Sequence, residues 1–126
     1  MFYTLSDGQS QINPARFYTL GIDLSDGRLD NGDVPFLGVT TLVAPDGNPY
    51  APASLDPEGL TLTKSDELFV TSEGIAARGI LPWAGRYALD RAFLGDLPVP
   101  DAFQPTSPTH GLMMHIRVPL RVAHGC

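Results

Sequence analysis

An all-β protein of short antiparallel strands is what this sequence predicts, and three observations lead there. Gly occurs 13 times and Pro 12 times in 126 residues, about one position in five. The longest run free of both, 60–73, is too short for long helices, a coiled coil or a helical bundle. Between these breaks lie runs of four to eight residues rich in aromatic and β-branched side chains, the composition of strands. Three of the runs end in turns built on Asp-Gly, at 6–8, 25–27 and 45–47. There Gly takes positive φ freely and the Asp side chain can bond its own downstream backbone.

Taken in order, the strands are expected at Phe2–Leu5, at 16–24, at 36–43 where Val and Thr dominate, at 59–63, at Glu67–Ser72, at 86–90 and at Phe93–Leu97. The tetrapeptide Thr63-Lys64-Ser65-Asp66 reads as the turn of a hairpin joining 59–63 to 67–72. An internal echo runs through the first part: Phe2-Tyr3-Thr4-Leu5 recurs as Phe17-Tyr18-Thr19-Leu20, and Leu-Ser-Asp-Gly stands at 5–8 and 24–27. Such an echo suggests a radially repeated architecture, a β-propeller, and is equally what coincidence among common strand residues produces. Propeller blades take roughly 40–50 residues each. This chain supplies two to three blades and cannot close a ring alone.

Composition narrows the function. Hydrophobic residues at 43% against 17% charged are enough for a packed core in one small domain. No stretch reaches the roughly 18 apolar residues of a membrane span, and Met1-Phe2-Tyr3-Thr4-Leu5-Ser6-Asp7 has no signal-peptide pattern. The net charge is −6, and all 14 acids stand at or before Asp101. An acidic body argues against nucleic-acid binding, which needs clustered Lys and Arg, and favours hard cations. The single cysteine, Cys126, leaves no intrachain disulfide.

The most unusual local sequence is Leu55-Asp56-Pro57-Glu58-Gly59-Leu60, followed later by Ser72-Glu73-Gly74. If 59–63 and 67–72 form a hairpin, Glu58 and Glu73 come to the same end of it, with Asp56 beside them. Three converging carboxylates can hold Ca²⁺ through oxygen ligands or act as an acid/base pair. The other reading is that Asp56 caps a turn before Pro57 and both glutamates face solvent. Elsewhere the signals are weaker. No serine has a nucleophile-elbow context, and His110, His115 and His124 lack zinc-ligand spacing with Cys126. Arg78, Arg86 and Arg91 read as solvated or salt-bridged, and Trp83 as a packing aromatic. Asp23, Asp26, Asp30 and Asp33 imitate a calcium loop but lack its spacing and its closing Glu, so they read as a solvated loop.

The succession Ala15-Arg16-Phe17-Tyr18-Thr19-Leu20, Val39-Thr40-Thr41-Leu42, Leu55-Asp56-Pro57-Glu58-Gly59-Leu60, Leu68-Phe69-Val70-Thr71-Ser72-Glu73-Gly74 and Leu97-Pro98-Val99-Pro100 resembles the phytase-like domain, the "esterase-like activity of phytase" family. The resemblance covers about residues 1–110. It implies a β-propeller and a phytase- or phosphodiesterase-like hydrolase acting on a small-molecule phosphate ester. Its recurrent acids fall on Asp56, Glu58 and Glu73: Glu58 and Glu73 as catalytic carboxylates, all three as metal ligands, calcium being the favoured ion. Ser6-Asp7 resembles the family's early Ser-Asp turn. Many members are exported, which leaves the location of this chain open.

The departures are as specific. The family domain is about twice this length or longer, and residues 111–126, with no acid, two Met, two Arg and two His, look foreign to it. A truncated or frameshifted product is therefore expected, with an incomplete domain over 1–110 and an atypical tail over 111–126. Sequencing the locus with its flanks tests this. The fold expected is a partial propeller with an irregular tail, whose open edges invite self-association. Beside the hydrolase stand two other readings: a non-catalytic propeller module or inactive remnant, and a lactonase-like hydrolase that also uses carboxylate-held calcium.

Overall fold

The structure, a computed structural model, describes residues 1–104. The tail expected at 111–126, with His115, His124 and Cys126, and also His110, lies outside the described residues. Among the described residues seven strands form two antiparallel meanders. β1 (Phe2–Leu5), β2 (Arg16–Leu20) and β3 (Phe36–Thr41) make a three-stranded sheet in that order. β4 (Pro57–Leu62), β5 (Glu67–Ser72), β6 (Trp83–Ala88) and β7 (Phe93–Leu97) make a four-stranded sheet, also in chain order. Among the described residues helix is confined to two short 3-10 turns, Ala76–Arg78 and Asp101–Phe103. The described residues are thus all-β, and neither sheet closes on itself.

The Phe-Tyr-Thr-Leu echo has a different meaning from a blade repeat. Its two copies are β1 and β2, paired antiparallel with Phe2 opposite Leu20 and Leu5 opposite Phe17. They are neighbours in one ladder, so like side chains meet their counterparts' opposite ends. β2 stops at Leu20, short of the expected 24, because the ladder to β3 is irregular between Thr19 and Leu20. Beyond it the hairpin continues only through Gly21 N–H to Pro35 C=O and Asp23 N–H to Asp33 C=O. β6 starts at Trp83, earlier than the expected 86. Pro82 and Gly85 look like strand breakers in sequence, but Gly85 serves the strand: a Cβ there would meet the Trp83 ring at 2.1 Å.

Turn chemistry follows the sequence closely. Asp23, Asp26, Asp46 and Asp90 each accept the backbone N–H two residues on, from Ser25, Arg28, Asn48 and Ala92. The N–H of Ser25 and that of Asn48 hold the Asp23 and Asp46 carboxyls below their usual range. The acid-rich loop 23–33 therefore spends carboxylates on its own turns. The 63–66 hairpin turn has Asp66 in the left-handed region (φ 59°) and is closed by Thr63 N–H on Glu67 C=O at 2.8 Å.

The core lies where the two sheets meet. β5 alternates buried and half-buried positions, with Leu68, Val70 and Ser72 facing in. Leu68, Val70 and Tyr87 pack with Ala15, Phe17, Leu42 and Leu55 from the first half of the chain. Period-two alternation on a strand covered on one face is the physical cause. On the same inner face Trp83, Tyr87 and Phe93 form an aromatic layer. Trp83 stacks on Phe93 (centroids 6.3 Å apart, 17° between planes), and both meet Tyr87 edge-on. Trp83 Nε1–H donates to Asp96 Oδ1 at 2.7 Å, so the ring is a packing aromatic with its polar tip satisfied. Arg86 pairs with Glu67 at 3.6 Å on the outer face, a half-exposed pair worth little stability.

Tyr50 and Tyr87 Oη lie 2.6 Å apart. Burial pushes both phenols above their usual range, Tyr87 further because its hydrogen bond to Tyr50 adds to the effect, whereas the same bond lowers Tyr50. Both side chains are therefore held protonated by the fold. The stability this confers is fully present below the ordinary tyrosine value of about 10, and is lost as pH rises through the folded values. Melting temperature is expected to stay level up to about pH 9 and to fall beyond about pH 10, as two of the tyrosines titrate late. A pH series of melts beside a tyrosinate absorbance titration checks this. Four tyrosines titrating together in the ordinary range would refute it.

Candidate metal centre

The segment that opens the four-stranded sheet is Leu55-Asp56-Pro57-Glu58-Gly59. Leu55 and Pro57 are buried and anchor it in the core. Asp56 is buried too, only 6% exposed. Its N–H donates to Ser72 Oγ at 3.1 Å, and the same oxygen accepts Gly74 N–H at 3.3 Å. Ser72, 2% exposed, thus ties the start of β4 to the chain leaving β5. Buried hydroxyls placed this way satisfy backbone groups that the ladder leaves over.

Between Pro57 and Gly59 the pairing to β5 skips: Pro57 stands opposite Ser72 and Gly59 opposite Thr71. Glu58 is the extra residue of that bulge. A bulge re-aims one side chain out of strict alternation, and here Glu58 joins Asp56. The glycines of the two Glu-Gly pairs are both closely approached, Gly59 by a side chain and Gly74 by backbone at a positive φ. A Cβ at Gly59 would meet Thr71 Oγ1 at 2.7 Å, and one at Gly74 (φ +80°) would meet Ile80 O at 2.4 Å.

The third member comes from the other sheet. β1 lies against β4, so the Ser6-Asp7-Gly8 turn that ends β1 reaches the start of β4. Asp7, Asp56 and Glu58 each offer an oxygen, and these lie within 4.8 Å of one another. Asp7 and Glu58 are exposed and Asp56 is buried, so the group has a closed floor and an open mouth. Gln9 Nε2–H donates to Asp56 Oδ2 at 3.3 Å and holds that carboxylate in place.

Two of the three expected carboxylates, Asp56 and Glu58, are therefore together. Glu73 is half-buried next to them in the chain path, its N–H donating to Asp56 C=O at 3.3 Å. Its carboxylate is not part of the close group; Asp7 occupies that place. The sequence does not mark Asp7 as a ligand because its proximity is tertiary, a contact between sheets that no local spacing encodes. The signal available was its place in the Ser-Asp turn.

The donor set fits a hard divalent cation. Calcium takes oxygen ligands at about 2.3–2.6 Å, so two ligands sharing one ion stand up to about 5 Å apart. The observed 4.8 Å limit lies within that span. No other such group of carboxylates, histidines or cysteines occurs among the described residues. Among them too, no helix is long and apolar enough to cross a membrane.

Comparison with known proteins agrees with the motifs. The family model Phytase-like, "Esterase-like activity of phytase", matches residues 1–118. No curated protein and no solved structure matches the chain.

Proposed function

This chain belongs to the phytase-like family, and from that premise we propose that it is a hydrolase-type domain acting on phosphoric esters, phosphodiesters among them. The observation that carries the reading is the convergence of Asp7, Asp56 and Glu58 within 4.8 Å at the mouth of β4. Asp56, Glu58 and Asp7 would hold calcium. When bound, such an ion supplies charge to offset the phosphate oxygens and acidifies a bound water. Glu73, one residue beyond the Ser72 tie, is the carboxylate left to take or give a proton at the scissile ester. Gln9 positions Asp56 and keeps its second oxygen aimed.

The fold part of the proposal is that the four-stranded meander is one propeller blade and the three-stranded sheet a neighbouring, incomplete one. Its support is the blade-like strand order and the meeting of β1 with β4. A second reading, an interaction module without catalysis, is favoured by the apolar side chains exposed along β3.

A chromogenic phosphodiester, assayed with calcium and then with excess EDTA, separates the two. Hydrolysis is expected to vanish with EDTA and in Glu58→Gln, and Glu73→Gln is expected to lower kcat by about 10²–10⁴. Turnover that ignores EDTA and both carboxylate variants would remove the site from the mechanism. No turnover of phosphodiesters at all would leave the module reading, and calcium-dependent opening of a lactone would redirect the substrate class.

A further inference from the structure

Of the large apolar side chains that stand exposed among the described residues, most belong to a single hairpin. Ile22, Leu24, Leu29, Val34, Phe36, Leu37 and Val39 all lie on the β2–β3 arm or its loop. Within β3, Phe36, Leu37 and Val39 are 64%, 55% and 58% exposed, so both faces of the strand are open. Among the described residues β3 has one neighbouring strand only, β2, and no described strand pairs along its other edge. The sequence Phe-Leu-Gly-Val-Thr-Thr contains no charge and no Pro.

Natural edges are normally guarded, and the other outer edge here is. β7 carries Asp96, takes φ +154° at Gly95 and runs into Pro98. The remaining edges, β1 and β4, meet each other. An uncharged, two-sided apolar edge invites strand addition, in which main-chain bonds give affinity and alternate side chains give specificity.

The charge around that edge selects the added strand. The loop between β2 and β3 carries Asp23, Asp26, Asp30 and Asp33 against a single Arg28. The chain itself contains a segment of the complementary kind. In residues 112–122, Met114, Ile116, Val118, Leu120 and Val122 alternate with His115, Arg117, Pro119 and Arg121, and there is no acid. Two basic side chains among alternating apolar ones match an apolar strand flanked by aspartates. The one Pro falls in the polar set. In an added strand whose apolar positions turned their N–H groups to β3, Pro119 would fall on the outward edge, where no donor is needed and further growth is blocked.

We propose that the free edge of β3 docks segment 112–122 of this chain as an added strand, with Arg117 and Arg121 drawn to the acidic β2–β3 loop. The surface is distinct from the carboxylate group and does not depend on the hydrolase reading.

Cys126, the only cysteine, allows the test in the full chain. With a nitroxide on Cys126, amide signals of β3 are expected to broaden beyond detection while those of β5 and β6 stay sharp. A mixture of isotope-labelled chain and nitroxide-labelled chain reports whether the segment comes from the same copy or a neighbouring one; either result supports the docking. The variant Arg117→Glu/Arg121→Glu is expected to restore the β3 signals, and adding Asp26→Arg/Asp30→Arg to it to lose them again. β3 signals that stay sharp in both samples overturn the proposal, as does broadening indifferent to charge reversal. Concentration-dependent pairing of β3 that ignores the label would assign the edge to β3 of a second copy and equally overturn it.

Discussion

Replacing Tyr87 by alanine is expected to destabilise the fold by about 3–5 kcal/mol, the range for removing a large buried aromatic. Tyr87 is fully buried, at 0% exposure. Its ring stands opposite Leu68 across the ladder, meets Trp83 and Phe93 edge-on, and its hydroxyl bonds Tyr50. Truncation therefore removes the piece on which the aromatic layer and the interior of β5 both rest. A small domain has a net stability of about 5–15 kcal/mol, so the loss is about a fifth of the total or more. Melting should fall by well over 10 °C, since each kcal/mol moves a domain of this size by roughly 3–6 °C. Tyr87→Phe keeps the ring and loses only the hydroxyl bond, an effect of about 0.5–1.5 kcal/mol. Thermal melts followed by fluorescence of Trp83, the only tryptophan, measure both. An alanine variant melting within a few degrees of the parent would mean that the core does not centre on Tyr87.

What the sequence made legible divides along physical lines. The limits of β1, β5 and β7 coincide with the expected ones because each is a short apolar run closed by a strong turn residue. The 63–66 turn before Glu67 and the Asp-backbone turns were readable for the same reason: their chemistry is local. β6 begins three residues before the expected 86, because Gly85 resembles a strand breaker in sequence and its place under the Trp83 ring is tertiary. The echo of Phe-Tyr-Thr-Leu pointed to repetition, yet its copies are partners in one sheet. Sequence identity between segments does not say whether they pair or stack.

The site shows the same division. Asp56 and Glu58 could be found because they stand two positions apart, but the bulge between Pro57 and Gly59 that sets Glu58 out of alternation is a feature of the ladder to β5, which spacing does not encode. Asp7 could not be placed without knowing that β1 lies against β4. Glu73 was expected at the same end of the hairpin, and its main chain is there, bonded to Asp56. Hairpin geometry fixes which backbones meet. It does not fix which of several carboxylates share a cation.

Calcium at millimolar concentration is expected to raise the melting temperature, and the carboxylate variants decide whether the gain comes from this site. A ligand that binds only the folded state stabilises it by RT ln(1 + [L]/Kd), about 2.7 kcal/mol when calcium stands at 100 times Kd. For a site in the 10⁻⁵ M range that condition is met at about 1 mM. The shift is then roughly 8–15 °C for a chain of this size. Glu58→Gln and Asp7→Asn keep the shape of the side chain and remove one charge from a ligand set that lies within 4.8 Å. Each should abolish most of the gain, because calcium affinity falls with the ligand charge count. Glu73→Gln is the discriminating variant. Its carboxylate stands outside the close group, so the calcium gain should survive while hydrolysis drops, separating proton transfer from metal holding. Magnesium should protect less, since it demands near-octahedral geometry at about 2.0–2.1 Å and gives up water reluctantly. A melting curve that calcium leaves unmoved, or that it raises equally in Glu58→Gln, would reduce Asp7, Asp56 and Glu58 to turn and surface acids. Loss of the gain in Glu73→Gln as well would place all four carboxylates around one ion and leave the proton transfer to a group outside them.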